Sequence, residues 1–142
     1  MTDIFITYLL QGKYKEAEKL CKNMNDASKR DLILNTAYDT ENICVYGFTQ
    51  YMIRQTGETN WIELAIELML NPLCFIEGAY SAALFHAREL LEKEKNVKNL
   101  ERILFFYNIP EKLLDEKEAI YISQEILKIE PHNKIALNVL DV

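Results

Sequence analysis

The sequence predicts an all-α protein built from paired antiparallel helices, and three observations carry that prediction. Apolar residues recur at the spacing of one helical face. The clearest such set is Trp61, Leu64, Ala65, Leu68 and Met69. Only four glycines and three prolines occur in 142 residues, which disfavours an all-β fold with many turns. No convincing run of strictly alternating polar and apolar residues is present, so we expect helices along the whole chain.

Helix-breaking residues divide the first half of the chain. Gly12 follows a short apolar segment and is expected to turn the chain there. Gly57 closes the helix that begins near Glu41. Asn71 precedes Pro72, and the residue before a proline avoids the α-helical conformation, so the next helix ends at that point.

The second half has equally clear boundaries. Gly78 is expected to be tolerated near the start of an Ala-rich helix. Ile109-Pro110 ends the helix after that one. Asp115 and Glu118 have the spacing of a capping box, which predicts a helix start. That helix stops at Pro131.

Eight or nine helices follow from these boundaries. The predicted spans are 2–10, 14–25, 27–37, 41–55, 59–70, 76–95, 97–107, 112–129 and 132–140. Short connections make successive helices antiparallel neighbours, which predicts an irregular stack or bundle of helical hairpins. No linker or low-complexity segment divides the chain, so we expect one domain spanning 1–142.

The charge balance bears on the kind of partner. Sixteen Lys and Arg face twenty-two Asp and Glu, a net charge of −6. This excess argues against DNA or RNA as the main ligand, because phosphate binding draws its affinity from Lys and Arg. It suits a basic protein partner. The alternative is that the charge simply aids solubility.

The three cysteines and the first residues indicate a compartment. Cys21, Cys44 and Cys74 are odd in number, form no C-x-x-C motif and have apolar neighbours. We expect reduced core residues of a soluble cytoplasmic protein. The first residues carry no basic stretch typical of a secretion signal. No apolar run approaches the roughly 20 residues that span a bilayer.

A family resemblance rests mainly on the C-terminal residues. Ala119 is followed by Ser123, by Ile126-Leu127 and by the run Ile129-Glu-Pro-His-Asn133. This pattern resembles the second helix of a tetratricopeptide repeat and the turn that follows it. The twelve positions from Ala119 to Pro131 match the family. Glu130 stands where the family usually has Asp, and Ile126 where it usually has a small residue.

Weaker matches lie earlier in the chain. Gly12-Lys-Tyr14-Lys-Glu-Ala17 resembles the turn between the two helices of a repeat, and Gly57 to Ala65 resembles it with an insertion of about two residues. The matching alanines, at positions 17, 65, 83 and 119, are separated by 48, 18 and 36 residues, whereas a regular array keeps about 34. The resemblance therefore implies an irregular array of stacked hairpins with a concave surface that holds a peptide or protein. The alternative is a helix bundle without repeats.

Residues with catalytic or metal-binding chemistry are sparse. His86 and His132 lie in unrelated contexts, and no H-E-x-x-H, C-x-x-C or Gly-rich phosphate loop occurs. We therefore predict no enzyme activity, no metal and no cofactor. Two enzyme alternatives stay open: a pair of Cys44 or Cys74 with His86, or His86 beside Glu77 or Glu89. The densest basic group, at positions 13, 15, 19 and 22, has Glu16 and Glu18 within it.

Aromatic and acidic residues share two connecting regions, and these are the candidate binding residues. The predicted partner-binding set is Tyr38, Asp39, Glu41, Tyr46, Gln50, Glu77, Tyr80 and His86. Tyrosine, histidine and carboxylates of this kind are common in protein interfaces. The alternative is that Tyr80 packs in the core and that the acids are helix N-terminal charges favoured by the dipole.

A protein-interaction role follows from the acidic charge and the missing catalytic groups. The chain as a whole resembles small bacterial immunity proteins, which implies a cytoplasmic inhibitor of a secreted toxin. Its partner is then expected to be a basic toxin domain, such as a nuclease, with its active site covered; nucleic acid and membrane are not expected partners. The alternative is an adaptor or chaperone that holds a peptide, with Arg54 and Arg88 among its few candidate clamps.

Overall fold

The computed structural model describes residues 2–140, and this part of the chain consists of nine α-helices and no β-strand. The prediction of an all-α protein of helical hairpins is confirmed. The helices are α1 (Thr2–Leu10), α2 (Tyr14–Cys21), α3 (Asp26–Thr40), α4 (Ile43–Thr56), α5 (Thr59–Leu70), α6 (Ala79–Lys93), α7 (Val97–Phe105), α8 (Glu116–Ile129) and α9 (Lys134–Leu140).

The predicted bounds of α1 and α5 are correct, and the larger errors occur where a cap overrides the apolar pattern. Helix α2 ends at Cys21 rather than at 25, because Asn25 is extended and its side chain accepts a hydrogen bond from the Ser28 amide at 2.8 Å. Helix α9 begins at Lys134 rather than at 132, because the Asn133 side chain accepts from the Ala136 amide at 3.0 Å.

Helices α6 and α8 begin later than predicted, because a residue with a left-handed backbone conformation lies before each of them. Gly78 has φ +84° and therefore precedes α6. The expectation that Gly78 would lie inside the helix is wrong. Lys112 has φ +43°, and α8 begins only after Asp115. The Asp115 side chain accepts from the Glu118 amide at 2.8 Å, which confirms the start that the spacing of these two residues predicts and not the start at 112.

Contacts divide the chain into two compact units, one ending at Ala83 and the other beginning at Leu84. The boundary falls inside α6. The expectation of a single domain over 1–142 stays a prediction.

Helix α4 is the centre of the first unit, since it packs against α1, α2, α3 and α5. Its Phe48 is fully buried and lies among aromatic rings from the other helices. The ring centroids of Phe5, Tyr14 and Trp61 lie 5.9, 5.5 and 5.7 Å from that of Phe48. Aromatic pairs at these separations add about 0.5–1.5 kcal/mol each beyond the area they bury.

The side chain of Tyr14 packs against α4 at Gly47. Its hydroxyl donates a hydrogen bond of 2.6 Å to the Cys44 carbonyl, and burial raises its pKa to about 12. A Cβ at Gly47 would overlap this hydroxyl and would lie 3.3 Å from the ring carbon Cζ. Gly47 therefore sits inside α4, despite the poor helix propensity of glycine, because α2 approaches closely there.

In the second unit, α8 packs against both α7 and α9. One face of α7 and one face of α8 supply its core, in which the buried residues are Leu100, Ile103, Leu104, Ala119, Ile122, Ser123 and Ile126. The side-chain amide of Asn133 donates a hydrogen bond of 2.7 Å to the Glu101 carboxylate, which ties the turn before α9 to α7.

Ion pairs join α6 and the residues just after it to α8. Arg88 donates hydrogen bonds to the Glu118 carboxylate from both terminal nitrogens of its guanidinium group, one of them at 2.9 Å. Lys95 Nζ lies 2.6 Å from Glu125 Oε1. Residues 88 and 95 differ by seven, as do residues 118 and 125, so α6 and α8 run parallel where these pairs form. The Glu118 carboxylate accepts hydrogen bonds from Arg88, and among the described residues it accepts none from the Asp115 amide to complete the predicted capping box.

Glu125 is the most strongly perturbed acid of the second unit. Lys128 and Lys95 both approach its oxygens at 2.6 Å, and these hydrogen bonds lower its pKa from 4.5 to about 2. Glu125 remains ionised over the whole physiological range.

The cysteine prediction is only partly right. All three thiols are free, and Cys21 is buried, which raises its pKa. Cys44 is half-buried, but Cys74 is exposed, so its assignment to the core is wrong. Cys74 lies in the turn after α5, where its neighbours Pro72 and Leu73 take the buried positions. None of the helices between residues 2 and 140 combines the length and apolar character needed to cross a membrane.

Replacing Gly47 with alanine tests the close approach of Tyr14. We expect Gly47→Ala to lower the free energy of unfolding by about 1–3 kcal/mol, because the added methyl forces the Tyr14 ring out of place. Tyr14→Phe alone should cost about 1 kcal/mol for its lost hydrogen bond. The two changes should be strongly non-additive in urea unfolding, since the Phe ring removes the clashing oxygen. Additive losses would contradict this packing.

Replacing Glu125 with glutamine tests the paired lysines. A depressed folded pKa gives stability that is present above the unfolded value and is lost as the pH falls towards the folded value. Wild type should therefore lose its melting-temperature advantage over Glu125→Gln as the pH falls from about 4.5 to about 2. The control is Glu116→Gln, an exposed acid of the same helix. Parallel melting curves for all three proteins would exclude the proposed pairing.

Candidate functional site

Five of the predicted binding residues lie along one helix–turn–helix segment. Tyr38 and Asp39 occupy the last turn of α3, and Glu41 caps it. Tyr46 and Gln50 follow in α4, four residues apart and so on the same side of the helix. The structure thus brings these five into consecutive turns of the first unit.

Ile43 is a surface residue that the sequence-based prediction missed. Tyr38 is 57% exposed and Ile43 is 51% exposed, so more than half of the surface of each of these large side chains is open to solvent. A signal for Ile43 existed, because it lies three residues before Tyr46 and seven before Gln50 and so shares their helical face. We call Tyr38, Asp39, Glu41 and Ile43 together the acidic–aromatic edge.

The two carboxylates of this edge are exposed. Within residues 2–140, neither Asp39 nor Glu41 forms an ion pair. Asp39 lies in the last turn of α3, a turn with no basic residue, where the helix dipole disfavours negative charge. The dipole of α3 therefore does not account for an aspartate at this position. The Asp39 charge is available to a partner.

Glu41 has an unfavourable backbone conformation. It is left-handed, with φ 52° and ψ 31°, and its amide donates a hydrogen bond of 2.8 Å to the Ala37 carbonyl. Gly57 ends α4 in the same conformation, with φ 68°. A residue with a Cβ costs about 1 kcal/mol more than glycine in this region. Such strain is most often kept where a side chain has a role besides stability.

The remaining three predicted residues are placed differently. Glu77 is exposed in the turn before α6, and Tyr80 is half-buried in its first turn. His86 is 2% exposed, and its Nδ1 lies 3.0 Å from Glu89 Oε1. A buried His86 offers little surface to a partner, so the exposed residues carry the case for binding.

The groups required by the alternative functions can also be located. His86 does meet Glu89, as one enzyme alternative requires, but the His86 side chain is only 3% exposed. Arg88, a candidate peptide clamp, is held by Glu118. Among residues 2–140, no three His, Cys, Asp or Glu side chains converge as they would around a metal ion.

The acidic–aromatic edge is the best candidate surface in the first unit. It combines two exposed apolar side chains with two unpaired carboxylates, a composition that attracts cationic groups and provides apolar contact. No protein-family model, curated protein or solved structure matches this chain.

Replacing Glu41 with glycine tests whether its conformation is kept at the expense of stability. We expect Glu41→Gly to raise the free energy of unfolding by about 0.5–1 kcal/mol, because glycine adopts positive φ without strain. The matched change Gly57→Ala should lower it by a similar amount. Urea unfolding measures both. A loss of stability in Glu41→Gly would show that its side chain holds the fold together.

Proposed function

We propose that this protein binds and neutralises a basic protein, as an immunity protein does with a cognate bacterial toxin. The acidic–aromatic edge is the observation that carries the proposal. The partner would be a toxin domain with a cationic active site, such as a nuclease, which the bound protein covers. Its place of action would be the cytoplasm of the producing cell.

The charges support fast recognition. A net charge of −6 accelerates the approach of a basic partner, and Asp39 and Glu41 concentrate negative charge beside the apolar contacts. Long-range steering of this kind weakens as salt is added. Salt dependence is therefore an expected property of the complex.

The exposed side chains support affinity. Full burial of a large apolar side chain contributes about 1.5–3 kcal/mol, and Tyr38 and Ile43 each have more than half of their surface available. Tyrosine is among the residues most often found to dominate an interface. A toxin surface pairing arginines or lysines with an apolar pocket would match this edge.

The helical hairpins provide the scaffold for this role. The small residues Ala119 and Ser123 are both buried in α8, and α9 follows after the Glu-Pro-His-Asn turn, which supports kinship with tetratricopeptide-type repeats. The peptide-adaptor alternative has less support, since Arg88 is already engaged by Glu118.

The proposal is tested by binding to a basic secreted toxin domain, where one is encoded beside this gene. We expect a complex of sub-micromolar affinity that weakens with salt, together with stoichiometric inhibition of the toxin. Tyr38→Ala should weaken binding by about tenfold, the equivalent of about 1.4 kcal/mol. Asp39→Lys should mainly slow association.

Matched controls come from the second unit. Tyr121 is 56% exposed, close to the 57% of Tyr38, and Glu116 is an exposed acid like Asp39. Tyr121→Ala and Glu116→Lys should leave toxin binding unchanged. The proposal fails if no complex forms, or if the control changes weaken it as much as those at the edge.

A further inference from the structure

A second surface, on the parallel helices of the second unit, has a different composition. One stripe runs along α6 and just beyond it, at spacings of three, four and three residues; the other runs along α8 at spacings of three, four and three. We call the two stripes together the α6–α8 face. Its residues are Phe85, Arg88, Glu92 and Lys95 from the first stripe and Glu118, Tyr121, Glu125 and Lys128 from the second.

Two aromatic side chains stand out from this face. Phe85 is 63% exposed, the highest value among the large apolar side chains described, and Tyr121 is 56% exposed. Between and beyond them, the Arg88–Glu118 and Lys95–Glu125–Lys128 ion pairs hold the charged side chains in place. The face therefore presents two exposed aromatic side chains among ion-paired residues, and tyrosine is one of the residues that most often dominate the binding energy of an interface.

The face is charge-balanced although the chain is acidic. It carries three cations, Arg88, Lys95 and Lys128, and three acids at positions 92, 118 and 125, whereas the whole chain carries sixteen cations and twenty-two acids. In a two-fold dimer the same patch meets itself, so a patch with excess charge of one sign is repelled. The acidic–aromatic edge, with two acids and no cation, would be repelled in this way.

We propose that the α6–α8 face is the interface for a second copy of this chain in a two-fold symmetric dimer. This inference goes beyond the proposed function and rests on different residues. The two-fold axis would lie in the plane of the interface and perpendicular to the helices, so that the helices of the two copies run antiparallel. The end of the face that bears Phe85 then meets the end of the other copy that bears Lys95 and Lys128. The Phe85 ring of one copy then receives the ammonium groups of Lys95 and Lys128 of the other copy over its face. Tyr121, between the two ion-paired ends of α8, lies near the axis.

Sedimentation equilibrium of the full chain over a range of concentrations tests this inference. We expect a monomer–dimer equilibrium that changes little with salt, because the interface is electrically balanced. Phe85→Ser and Tyr121→Ala should each weaken dimerisation by about tenfold, as the loss of an apolar anchor does. Circular dichroism of both variants should show unchanged helix content.

The first unit supplies matched controls. Phe75 is 58% exposed and Tyr38 is 57% exposed, so Phe75→Ser and Tyr38→Ala remove comparable surface elsewhere. Both controls should dimerise as wild type does. A chain that is monomeric at every concentration overturns the inference, and so does equal weakening by the controls. Toxin binding is measured separately, so each proposal fails or stands without the other.

Discussion

The packing of α4 against four other helices is the interaction on which the first unit depends. Phe48 lies at the crossing point, with aromatic rings from α1, α2 and α5 within 6 Å of its own. Because an isolated short helix is marginal in water, each of these helices gains its stability chiefly from the face it buries. Gly47 has no side chain, and this leaves the space that the Tyr14 ring and hydroxyl occupy against α4.

This central position of α4 also decides where the candidate surface lies. The residues of α4 that face inward are Val45, Phe48, Thr49 and Met52, which leaves Ile43 on the outside beside the α3–α4 connection. The turn itself is built at some expense of stability, with Glu41 in a left-handed conformation and Asp39 at the unfavourable end of a dipole. Residues held in sparsely populated backbone conformations cluster at active sites and ligand-binding sites.

The two proposed surfaces differ in how their charges are arranged. At the acidic–aromatic edge the carboxylates remain unpaired, so their field extends into solvent and acts on a cationic partner. On the α6–α8 face, cations and acids neutralise one another, and the exposed rings provide the contact energy. This difference in charge is the reason that we propose a basic protein as the partner of the first surface and a second copy of the chain as the partner of the other.

The helical class and the buried stripes were determined by the sequence alone, because periodicity and caps are local properties. Trp61, Leu64 and Ala119 are buried as their spacing predicts, and Asp115 caps α8 as its sequence position predicts. Helices α2 and α6 are shorter than predicted, because Asn25 is extended and Gly78 is left-handed. Either conformation ends a helix whatever the apolar pattern around it. Only the tertiary structure decided that His86 is buried, that Cys74 is exposed and that Arg88 meets Glu118 thirty residues away. These depend on which helix lies beside which, and that information is not contained in the spacing along any one helix.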